Sequence, residues 1–305
     1  MRINHDKIWS PLRQRIGTSP IYYTDWVGIV WPNSSFPAIP DPSLSSDAFP
    51  YDGDAFRAGQ IEWEAFGFAV AIAKISLHDK ATAVELGSSA SPWALAFTKF
   101  LRDLKMVETI SIEAGDIRKL ARMFWRLNKL DFKVRKNFKN FSFRGHNFAA
   151  FFVRGLATNN SKKYYFPNVN VGQDNGATGA SEVANLDFRG LKKATKINGI
   201  DVFKKLEALK NIDFLHMDIQ GSEIDIMLDP RFESLVGKTS VILIGTHSAI
   251  ADNLARELDL KFGLHLVSFV QSQPGTSDGK WPVDGEFFFL NYNAFQLSQE
   301  SRLFL

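Results

Sequence analysis

Residues 81–94 read ATAVELGSSASPWA, and the change of character along this run decides the fold. Its first six residues are small, apolar or β-branched apart from one glutamate, the pattern of a strand buried on both faces. Glycine follows at 87, where the chain can turn or a ligand can approach the backbone closely because no Cβ intervenes. Beyond a loop of small residues, Ser91 is placed to cap a helix and Pro92 suits a first helical turn. The helix predicted over about 91–104 carries Trp93, Ala96, Phe97, Phe100, Leu101 and Leu104 on one side. Strand, glycine turn and helix form one unit.

The same alternation continues outward. A second strand, ETISIEAG (108–115), leads to a helix marked by Ile117, Leu120, Ala121, Phe124 and Leu127. FAAFFVRGLAT (148–158), IDFLHMDIQG (212–221) and VILIGTH (241–247) read as three more buried strands. A helix with Ile250, Leu254, Leu258 and Phe262 at intervals of four follows the last of them. LHLVSFV (264–270) and EFFFLNY (286–292) close the chain, joined by a loop holding Pro274, Gly275 and Gly279. Upstream, Trp63, Phe66, Val70, Ala73 and Leu77 predict a helix near 60–77. Strands separated by helices imply a parallel sheet covered on both faces. The last two strands lack a helix between them and should pair antiparallel. The expected architecture is α/β: a mostly parallel seven-stranded sheet ending in an antiparallel hairpin, the layout of a Rossmann-like class I methyltransferase fold. Residues 1–59, rich in proline, serine and aromatics, are expected to form an irregular arm, and 60–305 the main domain.

Composition narrows the chemistry. The chain has no cysteine, which excludes disulfides, thiolate metal sites and cysteine nucleophiles. A net charge of +3 does not announce a nucleic-acid or membrane partner. No apolar run is long enough to span a bilayer and no signal-peptide pattern opens the chain, so the cytoplasm is the default location.

In an open α/β sheet, ligands bind beyond the carboxyl ends of the strands where the strand order reverses. Three acidic strand ends meet that description: Glu85 with Gly87, Glu113, and Asp218. A carboxylate at 113 can accept both hydroxyl hydrogens of a ribose. Each feature has a plainer reading. Gly87 suits a simple turn, and Glu85 or Glu113 can cap a helix. The three together, at three strand ends, suit an adenosine site, and the serine-rich loop suits a cofactor without a pyrophosphate to cradle.

With those residues in view, the sequence resembles the FkbM family of methyltransferases. AVELGSSASPW resembles the family's first motif and ISIEAGD the acidic end of its second strand. IDFLHMDIQGSEIDIML is the most specific stretch, and LIGTHS resembles a Gly-Thr-His motif on the following strand. QIEWEAF, YYFPNV and DNGA match weaker features. The resemblance implies S-adenosylmethionine as cofactor and methyl transfer to an oxygen of a sugar or secondary metabolite. Glu85, Gly87 and Ser88 would line the methionine end, Glu113 with Ala114 the ribose, and Asp218 the methyl group and acceptor. Asp218 and His247 are the candidate bases. His247 is favoured, because an unperturbed imidazole titrates near neutral pH. His216 reads as a core histidine and Glu223 as a helix cap.

Several expectations accompany this reading. A divalent cation held by Asp218 and Glu223 is a lesser alternative, with no tight carboxylate cluster behind it. Trp26, Trp31, Tyr51, Trp63 and Trp281 are candidates for an aromatic wall over the acceptor, or for packing the arm. The expected partner is a small-molecule acceptor, and a homo-oligomer is compatible with the reading. A nicotinamide-dependent oxidoreductase is a rival that the absence of G-x-G-x-x-G speaks against, and two others stand beside it. One is a catalytically silent ligand-binding protein on the same fold. The other is a nucleic-acid methyltransferase, suggested by KLDFKVRKNFKNFSFRGHNF (129–148), whose plainer reading is a solvated helix edge with core phenylalanines.

Overall fold

The computed structural model describes residues 17–18, 22–24, 30–32, 53–87, 91–137, 140–167, 194–219, 221–273 and 284–295. Three short strands, β1 (Gly17–Thr18), β2 (Tyr22–Thr24) and β3 (Val30–Pro32), pair antiparallel in a sheet of their own. The first described helix, α1 (Gly53–Ile75), begins before the 59/60 boundary expected between arm and domain. Trp63, Phe66, Val70 and Ala73 are buried along it as their spacing requires, whereas Leu77 lies past its end and is exposed.

The strand–turn–helix unit is present as β4 (Lys80–Leu86) and α2 (Pro92–Leu101). It leads to β5 (Met106–Glu113) and α3 (Arg118–Leu127). Leu104, expected on the buried side of α2, falls after the helix and is exposed. The chain then departs from expectation. Residues 129–148 do not form a helix edge: β6 (Lys133–Asn137) and β7 (Asn140–Gly145) make an antiparallel hairpin on β8 (Phe148–Arg154). Phe141 and Phe143 alternate inward from β7, as strand period two demands, and stack with Phe152, Phe132 and Trp125. These rings are core and offer no platform to bases. Phe138 and Lys139 of the same stretch lie outside the described residues.

The strand expected over 148–158 breaks at Gly155. Its second half, β9 (Leu156–Thr158), joins a separate sheet with β10 (Lys163–Pro167) and β11 (Ala194–Asp201). A Cβ at Gly155 would meet Ile200 and the Asn198 carbonyl, so the break lets β11 cross close by. After β11 come α4 (Val202–Leu206), β12 (Ile212–Met217), α5 (Glu223–Leu228), α6 (Phe232–Gly237) and β13 (Thr239–Thr246). Then follow α7 (Ala249–Phe262), β14 (His265–Val270) and β15 (Gly285–Leu290). Ser248 caps α7 by accepting from the Ala251 N–H at 3.2 Å, and Gly263 ends it in the left-handed conformation. The buried stripe of α7 is Ala251, Ala255 and Leu258, with Ile250 exposed, a rotation of about one residue from the stripe expected.

Among the described residues the main sheet has nine strands rather than seven, in the order β14-β15-β13-β12-β4-β5-β8-β7-β6. The five central strands, β13 to β8, run parallel; β15 is antiparallel to both β13 and β14, and its pairing with β14 is the hairpin expected. The extra pair, β6 and β7, extends the β8 edge. Phe214, Leu243, Ala83, Phe152 and Phe288 face one apolar layer with α1, α2 and α3. Leu215, Ile242, Val84, Ile112 and Phe287 face the other with α4 to α7. From β4 the chain adds β5 and β8 on one side, then returns to lay β12 and β13 on the other. The order therefore reverses between β4 and β12, and the crevice beyond their carboxyl ends is where such sheets bind ligands.

Candidate functional site

Gly87 and Asp218 follow these two strands directly. The Asp218 N–H donates to the Leu86 carbonyl at 2.9 Å, and the Gly87 N–H to that of Ile112 at 3.0 Å. Gly87 has φ +75°, and a Cβ there would overlap the Asp218 backbone carbonyl. The glycine is required because two strand ends meet, which is its plainer reading made specific: what comes close is the protein's own backbone.

Glu85 is buried, and its two oxygens accept from the N–H groups of Trp93 (3.4 Å) and Ala94 (3.2 Å). It thus supplies the cap expected of Ser91, which sits in the left-handed region with no side-chain capping bond. Burial pushes the Glu85 carboxyl up to about 8, against the pull of those two N–H groups. Ser111 and His216 pair with Glu85 on either side across the sheet. Both are buried, and the Ser111 Oγ and His216 Nδ1 have no hydrogen-bond partner. Burial lowers His216 to about 4, so its ring is neutral, stacked on Phe214 beside Trp93.

Glu113 is half-buried, and its Oε1 accepts the Gly115 N–H at 2.8 Å. Ala114 is buried against Leu156, Tyr164 and Ile197. Ser88 lies outside the described residues.

The β12–β13–β15 side is organised around His247. Its Nδ1 is 3.1 Å from Glu223 Oε1, its Nε2 is 3.1 Å from Asp218 Oδ1, and Asp284 Oδ1 is 3.7 Å from Nε2. Glu223 is fully buried and also accepts the Gly221 N–H at 2.6 Å, so it holds the histidine as well as its own turn. Burial pulls the imidazole down, but the bonds and charges of Asp218 and Glu223 outweigh it and push it up to about 11. His247 is therefore an imidazolium at neutral pH. The sequence reading favoured it as a base, a role that an imidazolium between two carboxylates, with no free lone pair, does not suit.

Three further carboxyl groups gather here that sequence reasoning did not single out. Gly245 lies directly opposite Glu286 in the β13–β15 ladder. The space a Cβ would take at Gly245 is bounded by the Asp218 side chain at 3.3–3.4 Å. Residues opposite one another in a ladder are close neighbours on one face, so Glu286 and Asp218 adjoin. Glu286 is buried and its Oε2 has no hydrogen-bond partner among the described residues. Its carboxyl is held well above the usual range by burial, then by Glu62, Asp218 and Asp284, with His247 opposing. Glu62, half-buried on α1, is pushed up to about 8 by burial, then by Asp218 and Asp284. Asp284 is pushed up to about 6 by burial and by the neighbouring acids, against the pull of His247. A carboxylate opening an apolar strand (Glu286) and one inside the aromatic QIEWEAF run (Glu62) were the available signals.

Among the described residues no three acidic or histidine side chains come together as a metal ion needs. Trp63 is wholly buried and meets Trp93 edge-on at 5.1 Å, so it packs the core. Trp31 lies in β3, and Trp26, Tyr51 and Trp281 lie outside the described residues. Among the described residues no helix is long and apolar enough to cross a membrane.

The sequence matches no family model, and no curated protein is significantly similar to it, so the FkbM resemblance stands on the quoted motifs. Among solved structures, a precorrin-6Y C5,15-methyltransferase from Geobacter metallireducens is similar over 74% of this chain and 87% of its own, at 11% identity and a TM-score of 0.34. Trm1 from Pyrococcus horikoshii, solved with S-adenosyl-L-methionine, is similar over 91% of this chain and 61% of its own, at 8% identity and a TM-score of 0.35. Likeness at these levels does not bear on chemistry.

Proposed function

We propose that this chain is an S-adenosylmethionine-dependent methyltransferase acting on a small-molecule acceptor, with a hydroxyl of a sugar or secondary metabolite receiving the methyl group. One observation carries the reading: the point where the strand order reverses is flanked by Glu85 and Glu113 on one side and by Asp218 on the other. The quoted motifs support it independently, since they fall on the same strand ends. Bound at that crevice, S-adenosylmethionine supplies a methyl group already activated on a sulfonium.

The protein's own part is binding, alignment and proton handling. Glu113 would accept from the ribose hydroxyls, with Ala114 beside it. Gly87 and Ser88 would line the methionine end, with the Glu85 carboxyl fixing the start of α2 behind them. Asp218 would take the acceptor's proton. His247, already protonated, would orient Asp218 through their ion pair, and Glu223 would hold the ring from its other nitrogen.

Calorimetry with S-adenosylhomocysteine tests the cofactor assignment. The wild type should bind with micromolar affinity and Glu113→Ala at least about tenfold more weakly, the equivalent of about 1.4 kcal/mol. Equal binding by both would remove Glu113 from the ribose, and no binding by the wild type would remove the methyltransferase reading.

A further inference from the structure

We propose that the acceptor carries a protonated amine, and that Asp218, Asp284, Glu286 and Glu62 form the subsite that seats it. The inference rests on the methyltransferase reading for the word acceptor, but the subsite itself is argued from geometry.

Asp218 borders, at 3.3–3.4 Å, the space a side chain at Gly245 would take, and Glu286 stands directly across the ladder from that glycine. The Asp284 side chain adjoins Glu286 in sequence and reaches to 3.7 Å from the His247 ring. Glu62 of α1 completes the group from above the sheet face, interacting electrostatically with Asp218 and Asp284. With Glu223, four of these carboxyl groups act on one imidazolium, and Glu62 acts on Asp218, Asp284 and Glu286. His247 uses its two nitrogens on Glu223 and Asp218, which leaves the positive charge on the β12 side of the cluster.

Beside the Asp218–His247 ion pair, two buried polar atoms at this place make no hydrogen bond among the described residues. Glu286 Oε2 is on a side chain only 4% exposed, and His216 Nδ1 is on a ring only 6% exposed, two residues before Asp218 on the same strand face. Buried polar atoms in folded proteins are nearly always hydrogen-bonded, so an orphan of each kind marks a place where a ligand or water donates. A carboxylate oxygen accepts, as does the unprotonated nitrogen of a neutral ring, which is Nδ1 when Nε2 carries the proton, and an ammonium is a compact donor of three N–H bonds with no acceptor. Acceptor atoms plus surplus negative charge select such a group over a neutral hydroxyl, which would leave the like-charge repulsion among the carboxylates in place. A metal ion is the other way to relieve that repulsion, but these side chains do not converge as a metal shell requires. The ammonium needs only acceptors facing it.

Matched probes test the subsite. Glucosamine against glucose, and butylamine against butanol, are titrated at pH 7.5 into the full-length protein with and without saturating S-adenosylhomocysteine, and binding is read by NMR line broadening and calorimetry. The expected result is that the amine of at least one pair binds tenfold or more tightly than its neutral partner. In Glu286→Gln and Glu62→Gln, which keep shape but cannot ionise when an ammonium arrives, that preference should fall at least threefold while S-adenosylhomocysteine affinity stays unchanged. Equal binding of amine and alcohol in both pairs, including no binding by any probe, overturns the proposal. So does an amine preference that both variants retain, or an amine that S-adenosylhomocysteine displaces competitively, which would give the subsite to the cofactor's own amino group. Failure of the cofactor to bind at all would sink the methyltransferase reading and leave the amine result standing on the unliganded protein.

Discussion

The two flanks of the crevice contain the same kind of side chain and treat it in opposite ways. On the β4–β5 flank the carboxyls of Glu85 and Glu113 are met by backbone N–H groups, from the start of α2 and from Gly115. On the β12–β13–β15 flank, Asp218, Asp284, Glu286 and Glu62 face one another and a single imidazolium. Backbone amides are neutral and fixed in place by the fold, so these two carboxyls are held by the protein's own frame. The second holds charge that the protein alone does not balance. Satisfied polar groups give a rigid frame, whereas unbalanced ones mark where a ligand completes the electrostatics.

Removing the imidazolium should separate the flanks most clearly. His247→Ala leaves Glu223 fully buried without its cation, and breaking a buried pair costs about 3–5 kcal/mol. Urea denaturation should show that loss. A loss below about 1 kcal/mol would mean that Glu223 is held by Gly221 alone and that the second flank is less strained than its geometry implies.

A somewhat smaller effect is expected where the flanks meet. Gly87→Ala forces a Cβ onto the Asp218 carbonyl at φ +75°. It should cost about 3 kcal/mol, since backbone strain and a clash act together. The same denaturation series measures it. A near-neutral substitution would show that the strand ends can separate, and the contrast would then be between two mobile loops.

pH offers the mildest probe. Glu85 and Glu62 are raised from 4.5 to about 8, so the stability they contribute is complete below pH 4.5 and lost as pH rises to 8. His247 is raised from 6.5 to about 11, so its contribution is complete below pH 6.5 and lost as pH rises through 11. Thermal midpoints should therefore fall steadily from pH 5 to pH 10. Glu85→Gln should match the wild type within about 1 kcal/mol at pH 5, because one capping bond survives, and should melt higher than the wild type at pH 9. If it melts lower at pH 9, Glu85 is ionised in the folded protein and the amides of α2 dominate its burial.

The amino-acid pattern by itself settled the central parallel strands, the antiparallel return of β15 and the placement of Glu85, Glu113 and Asp218 at strand ends. Buried parallel strands are continuous apolar runs, and a charged residue that ends such a run is conspicuous. The β6–β7 hairpin escaped that reading because Phe132, Phe141 and Phe143 sit among lysines and arginines at spacings that suit either a strand or a helix edge. Only tertiary contact decided the second flank. Glu62 comes from a helix more than two hundred residues upstream of Glu286, and nothing local to either tells that they share one space. His247 was visible as a candidate, but its charge state depends on two carboxylates that strand pairing and the turn before α5 bring against it. A pKa belongs to an environment, and that environment exists only once the chain has folded.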